Sequence, residues 1–363
     1  MAKNILIAAG GTGGHLFPAM AVADDLIRQS GGEIKVHFIG TETRIESKKV
    51  PKAGFNYTSM PIKAFPGKNL KAVNWYLEFR KSQDIAKGVL KSQNIDALIC
   101  AGAYLSVPPG YAARKLGIPI YLMESNVNLG KAHKMLLDDA ENIFISWKES
   151  ADELEENRNK AVLTGNPVRK EIITQIEKDT AKINLGFDKE RPLILVIGGS
   201  LGAEAINNVV NKHISDFIKL DCSLLWQRGG SFEAKEQLGG DLPDYIKKVN
   251  FIDDMGSAYS AADIVISRSG ATAVSEICAV GIASILVPLP SAANNEQMLN
   301  AKLLADNKAA ILLPEKSLEN NLMKVVNDLM TNPNGRNTIS KNAKSLAKVN
   351  ASRDISQYII SKL

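Results

Sequence analysis

Residues 7–19 read "IAAGGTGGHLFPA": an apolar run, four glycines in five positions, a histidine, then a helical pattern. An apolar strand that turns through glycines into a helix exposes backbone N–H groups and a helix N-terminus, which together attract anions, usually phosphates. The design recurs. At an offset of 188, Gly10, Gly11, Thr12 and Gly14 fall on Gly198, Gly199, Ser200 and Gly202, and both loops lie between a strand-like run and a helical one. Each half of the chain thus opens strand, Gly-Gly-[Thr/Ser]-x-Gly, helix, which reads as one plan used twice.

Working outward, "ILIAA" (5–9), "KVHFIG" (35–40), "ALICAG" (97–102), "IPIYLM" (118–123) and "NIFIS" (142–146) are strand-like, with helical patterns between them. A second series follows: "LILVIGG" (193–199), "CSLLWQ" (222–227), "VNFID" (249–253), "DIVISRSG" (263–270), "ASILVPL" (283–289) and "AAILLP" (309–314). Continuously apolar strands alternating with helices predict parallel sheets covered on both faces. The expected fold class is α/β, with two Rossmann-like doubly wound domains facing across a cleft at the carboxyl ends of their strands, where such sheets bind ligands. The turn-rich "LTGNPVRKE" (163–171) marks the junction, giving domains 1–164 and 165–345 and a terminal helix, 346–363, expected to pack back on the first domain.

The loops match neither common nucleotide fingerprint. In a GxGxxG reading from Gly11 the third glycine falls on Leu16, and Leu201 occupies the second-glycine position of the other loop. Gly-Lys-[Ser/Thr] is absent from both loops, so NAD and ATP are disfavoured. Phosphate or a sugar diphosphate remains, against the plainer reading of two tight turns. His15 begins a helix at the edge of the first strand, and its counterpart in the second loop is Ala203. The positive end of that helix should lower the imidazole pKa and favour a neutral base. His37, within a strand, and His213, on a polar helix face, read as structural.

The 363 residues carry a net charge of +5, too little to point to nucleic acid. Cys100, Cys222 and Cys278 are far apart in apolar surroundings and read as buried thiols of a reducing compartment. Neither a signal peptide nor a transmembrane helix is expected: a strand begins within a few residues, and the longest uncharged stretch, 277–295, is broken by Gly281, Pro288 and Pro290. The charge is concentrated. From Met60 to Lys91, seven basic residues against two acidic ones give +5, interleaved with Phe65, Trp75, Tyr76 and Phe79. Phe65, Lys68, Lys71, Trp75, Phe79 and Arg80 are therefore candidates for an anionic membrane interface; the alternative is a solvated helix whose aromatics face the core.

In the second half, Ser269-Gly270 follows a strand and 271–276 opens a helix, which places N–H donors and Thr272 toward an anion. Glu276, one turn in, suits either the helix dipole or a ribose diol. The polar "NNEQMLNA" (294–301) reads equally as an N-cap or as a set of amides for sugar hydroxyls.

Assembled, "GGTGGHLFPA" (10–19), "GAYLSVP" (102–108), "GNPVR" (165–169), "GGSLGA" (198–203), "FIDDM" (251–255), "SRSGATAVSE" (267–276) and "EQMLNA" (296–301) resemble, in order and over nearly the whole chain, the MurG family. These are bacterial N-acetylglucosaminyltransferases of the GT-B fold that convert lipid I to lipid II in peptidoglycan synthesis. The resemblance implies UDP-GlcNAc mainly on the second domain. Ile252 backbone would meet the uracil and Glu276 the ribose. Ser200 and the helix start Ala271, Thr272, Ala273, Val274 and Ser275 would hold the diphosphate, with Arg169 nearby. Glu296, Gln297 and Asn300 would lie at the sugar. Thr12, Gly13, Gly14 and Asn126 also match donor positions. The lipid-linked acceptor would lie on the first domain near Gly102, Tyr104, Ser106 and Glu124. Three departures stand out. Gly102-Ala103-Tyr104 replaces a GGY motif, Met123-Glu124-Ser125-Asn126 replaces His-Glu-Gln-Asn, and Glu296 adds a negative charge where Gln or His is usual.

The implied chemistry is inverting transfer of GlcNAc to the 4-hydroxyl of MurNAc, with His15 taking the proton. Because no Asp-x-Asp occurs in the chain, no cofactor and a metal-independent reaction are expected. The family's partners are UDP-GlcNAc, lipid I, the anionic cytoplasmic face of the plasma (inner) membrane, held peripherally, and other cell-wall or division proteins; nucleic acid is not among them. Two other readings stay open: another GT-B enzyme, such as a lipid glycosyltransferase or a UDP-GlcNAc 2-epimerase, and a non-catalytic sugar-nucleotide-binding subunit.

Overall fold

The computed structural model describes residues 3–67, 71–199, 202–230 and 242–363, with Lys71 described in its backbone only. The chain divides into two compact units, Met1–Val168 with Lys348–Leu363, and Arg169–Ala347. Each is built on one parallel sheet.

In the first unit the strands are β1 (Lys3–Ala8), β2 (Ile34–Thr41), β3 (Asn56–Met60), β4 (Ala97–Cys100), β5 (Ile120–Glu124), β6 (Asn142–Ile145) and β7 (Ala161–Leu163). Their spatial order is β3-β2-β1-β4-β5-β6-β7. Alternation along each strand feeds two cores: Leu6, Leu98 and Leu122 pack on one face, and Ile5, Ile7, Ile99 and Met123 on the other. The second core is completed from the far end of the chain, since the helix Ala351–Ile360 contributes Ile355 and Ile359.

The second unit holds β8 (Leu193–Ile197), β9 (Ser223–Gln227), β10 (Ile246–Val249), β11 (Ile264–Ser267), β12 (Ala283–Leu286) and β13 (Ile311–Leu312). Here the order is β10-β9-β8-β11-β12-β13. The expected strand at 249–253 is displaced: β10 ends at Val249, and Phe251 is exposed. β3 and β7 lie outside the expected strands. All three are edge strands; polar residues interrupt β3 and β10, and β7 is only the three residues Ala161–Leu163, too short to stand out as an apolar run.

At Gly10, in the first glycine loop, what excludes a side chain is the protein itself. Glu46, fully buried, accepts hydrogen bonds from Gly11 N (3.0 Å), Thr41 N (3.0 Å) and Thr41 Oγ1 (2.6 Å). Its carboxylate fills the space a Cβ at Gly10 would need. In the second loop the carbonyl of Arg228 lies in the same way against Gly202. The twins also differ in where the helix starts. The first helix begins at Gly13 and the second at Glu204, which is position 16 in the frame of the first (204 − 188), three residues later.

Gly10→Ala should therefore destabilise the first unit by about 2–3 kcal/mol in urea unfolding, because either the loop or the buried carboxylate must move. An unchanged midpoint would show that Glu46 does not constrain the loop.

Candidate active site

Because the strands are parallel, their carboxyl ends lie along one edge of each sheet, and the order β1-β4-β5 brings three distant loops side by side. The loop after β1 carries Thr12 and His15. Thr12 is the N-cap of the helix Gly13–Gln29, but its hydroxyl makes no cap bond; it lies 3.2 Å from His15 Nδ1. The loop after β4 carries Gly102, whose φ of 108° belongs to glycine. A Cβ there would lie 2.8 Å from His15 Cδ2, so the imidazole packs against bare backbone. Ala103 follows at φ 58°, ψ 168°, a strained conformation for an alanine that the glycine usual in this motif would relax.

At the end of β5, Glu124 is buried and heavily bonded. It accepts from Gly130 N (2.8 Å), Asn126 N (3.0 Å), Asn126 Nδ2 (3.3 Å) and His133 Nδ1 (2.7 Å). Burial pushes its carboxyl pKa up, but His133 and these donors outweigh burial and hold it below the ordinary carboxylate value. The His15 pKa is lowered as anticipated, but for a different main reason. Burial leads, Glu124 opposes it and His133 adds to it.

Ser106, Trp75 and Phe79 are turned into the fold. Ser106 is fully buried and donates to the Gly102 carbonyl at 2.6 Å, so it braces the turn rather than facing an acceptor. Tyr104 is half-buried in the short 3-10 turn Tyr104–Ser106. Trp75 and Phe79, read as membrane-facing, pack against the core in a chain of ring contacts from Phe65 to Tyr111, and Trp75 Nε1 donates to the Lys63 carbonyl at 2.8 Å. They are one helical turn apart on the inner face of the helix Lys71–Ser92. Val73, Tyr76, Leu77 and Arg80 occupy the outer face, and Phe65 is also exposed. Lys68 lies outside the described residues, as does the Lys71 side chain.

In the second unit the helix Ala271–Val280 starts behind Gly270 with no side-chain cap. Its first-turn N–H groups belong to Ala271, Thr272 and Ala273 and lie at the positive end of the helix dipole. The Val274 amide already donates to Gly270 (3.1 Å) and the Ser275 hydroxyl to Ala271 (2.8 Å), so those two serve the helix. Glu276 is buried with both oxygens engaged: Arg169 Nε (3.0 Å) and Nη2 (2.9 Å) donate to Oε1, and Tyr259 Oη (3.1 Å) to Oε2. Burial raises its pKa despite the guanidinium.

Gln297 and Asn300 hold loops together. Gln297 Oε1 accepts from Leu289 N at 3.0 Å, and buried Asn300 donates to the Ser269 carbonyl at 3.1 Å. Glu296 begins their helix, Glu296–Asp306, just after Asn294 and Asn295, both at positive φ. Ile252 N is bound to Gln227 Oε1 (2.8 Å), and Gln227 Nε2 reaches the Gly199 carbonyl (3.0 Å). Gln227, at the end of β9, thereby ties the second glycine loop to the "FIDD" turn, a role its sequence context does not signal. Ser200 lies outside the described residues. His37 and His213 bond Thr58 and Asp216, and the three cysteines are buried and free. Among the described residues no cluster of three or more His, Cys, Asp or Glu could hold a metal ion, and no helix is long and apolar enough to cross a membrane.

The glycosyltransferase family 28 N-terminal domain matches residues 5–145, and its C-terminal domain matches residues 193–359. A curated relative from Phocaeicola vulgatus is 34% identical over 98% of this chain and 95% of its own. It is named UDP-N-acetylglucosamine–N-acetylmuramyl-(pentapeptide) pyrophosphoryl-undecaprenol N-acetylglucosamine transferase. The chain belongs to the MurG family. Among solved structures, a family member from Acinetobacter baumannii superimposes with a TM-score of 0.77 at 27% identity, covering 100% of both chains. A putative UDP-N-acetylglucosamine 2-epimerase from Listeria monocytogenes (TM-score 0.71, 15% identity, covering 100% of this chain and 97% of that one) shares the fold.

Arg169→Ala would leave Glu276 buried without its cation, and should destabilise the second unit by about 3 kcal/mol. Adding Glu276→Gln should recover part of that loss in a double-mutant cycle. Strictly additive losses would mean the pair does not act as a unit.

Proposed function

We infer that this chain transfers GlcNAc from UDP-GlcNAc to lipid I, undecaprenyl-pyrophosphoryl-MurNAc-pentapeptide, giving lipid II and UDP in peptidoglycan synthesis. The observation that carries this is kinship over almost the entire length with transferases bearing that name. The acceptor 4-hydroxyl attacks the anomeric carbon, the bond to UDP breaks, and α becomes β. His15 takes the hydroxyl proton. The tautomer in which Nδ1–H donates to Thr12 leaves Nε2 bare to accept it, and burial keeps the ring neutral.

The departing diphosphate needs positive charge fixed in place before it leaves. The N–H groups of Ala271, Thr272 and Ala273, with Arg169, are suited to supply it, so the reaction is proposed to need no metal. Glu276, braced by Arg169 and Tyr259, suits a ribose diol, and the Ile252 carbonyl suits the uracil because its N–H is already used. The GlcNAc contact falls to Glu296 and Gln297, while Thr12, Gly13, Gly14 and Asn126 stay as donor candidates on the first unit. Val73, Tyr76 and Leu77, with Phe65 and Arg80, form the face proposed to rest on the anionic cytoplasmic leaflet.

Purified enzyme should release UDP only when a lipid I analogue is present, with or without EDTA. His15→Ala should keep UDP-GlcNAc affinity and lower kcat by about 10²–10⁴. Release with a simple lipid acceptor would favour another GT-B activity, binding without turnover would favour a non-catalytic subunit, and an unchanged kcat would remove His15 as base. For the membrane face, Leu77→Ser should weaken binding to anionic vesicles, and added salt should weaken wild-type binding. Indifference to both would exclude it.

A further inference from the structure

The proposed base stands on a loop that cannot hold itself. Glycine has the most backbone freedom to lose on folding and no side chain to pack, so a glycine loop that must place a reacting group needs restraint from outside. Between the bond from Ala9 N to the Ile39 carbonyl (3.4 Å) and the bond from His15 N to the Thr12 carbonyl (3.3 Å), Gly11 N donates to Glu46 Oε2 at 3.0 Å. The other Glu46 oxygen accepts from Thr41 N (3.0 Å) and Thr41 Oγ1 (2.6 Å), at the end of β2. Two glycines from separate segments leave room for this one carboxyl. A Cβ at Gly10 would run into its carboxyl carbon, and a Cβ at Gly40 would lie 2.8 Å from its Cγ. Tyr57 Oη donates to the Thr41 carbonyl at 2.5 Å and so fixes the far end of the staple. Thr12 follows Gly11 directly, and its hydroxyl lies 3.2 Å from His15 Nδ1. The restraint on Gly11 therefore reaches the imidazole through a single residue.

We propose that Glu46 is a positioning residue for the transfer reaction: by stapling Gly11 to the end of β2, it sets the Thr12–His15 pair in the geometry and tautomer that proton removal needs. The proposal rests on the reading of His15 as base. Both Glu46 oxygens accept hydrogen bonds, which a carboxylate can do and a carboxamide cannot. Glu46→Gln keeps the shape of the side chain but turns one acceptor into an N–H₂ donor. That donor must face either the Gly11 amide or the two Thr41 donors, so one end of the staple opens. Thr12 is then free to drift, and its hydroxyl no longer fixes which ring nitrogen of His15 carries the hydrogen. A catalytic group misplaced by about 1 Å loses up to about 10²-fold in rate. Every residue of the staple lies in the first unit, whereas the groups proposed to hold UDP lie in the second.

The test joins kinetics to ¹⁵N NMR of the full-length chain labelled at histidine, its four rings assigned by single His→Gln variants. Wild-type His15 should show one tautomer, with Nδ1 protonated and Nε2 bare. In Glu46→Gln it should show a mixture of both. With a lipid I analogue the kcat of that variant should fall about 10–100-fold, while UDP affinity stays within about twofold. An unchanged tautomer or an unchanged kcat overturns the proposal. A UDP affinity that falls together with kcat also overturns it, because that would mark general loosening of the chain. Should Glu46→Gln fail to fold, Thr41→Val decides. It removes the 2.6 Å bond alone and should move tautomer and kcat in the same directions, and no movement in either overturns the proposal. The base assignment is read separately: His15→Ala with full kcat would end it. The tautomer comparison needs no acceptor and shows in either case whether Glu46 holds the ring.

Discussion

The Glu124 carboxylate is the interaction on which the first unit's site depends. It is a buried anion at the end of a central strand, and burial on that scale is tolerated only when donors replace water. Here four hydrogen bonds do so, from the Asn126 amide and side chain, from Gly130 and from His133. Those donors come from the turn after β5 and from the next helix, so satisfying one charge fixes the path of the chain from Glu124 to His133. Ser146 N–H and hydroxyl, donating to the Glu124 carbonyl, extend the same restraint to the end of β6.

The two glycine loops show how one local plan is put to separate uses. In each, the space that a side chain would need is taken by the protein: Glu46 beneath Gly10, and the Arg228 carbonyl against Gly202. Gly10 and Gly202 are therefore explained before any ligand is considered, whereas Gly11 and Gly199 have room for a Cβ and are set apart by their positive φ. The loops differ in the segments they join. The first runs at once into a helix carrying His15 in its first turn. The second is tied through Gln227 to the Ile252 turn. A titratable group marks the first loop and a set of backbone restraints the second.

Much of this was legible in the residues. Strands such as β1, β4, β8 and β11 are covered on both faces and read as unbroken apolar runs. β3 and β10 are not, because an edge strand carries residues such as Asn56, Thr58 and Lys247 on its open side. The same limit governs the site. His15, Arg169 and Glu276 stand in motifs, whereas Glu46, Gln227 and His133 act across 35, 25 and 9 residues of sequence on partners that only strand order brings near. Helical spacing likewise could not say which face of Lys71–Ser92 turns inward; the aromatic chain through Trp75 and Phe79 decides it.

The central claim is that a neutral imidazole on the first unit removes the proton of one acceptor hydroxyl as UDP departs. The most direct measurement is UDP release with a lipid I analogue compared with its counterpart lacking the 4-hydroxyl of MurNAc. The account predicts turnover with the first and none with the second. Equal UDP release with both would contradict it.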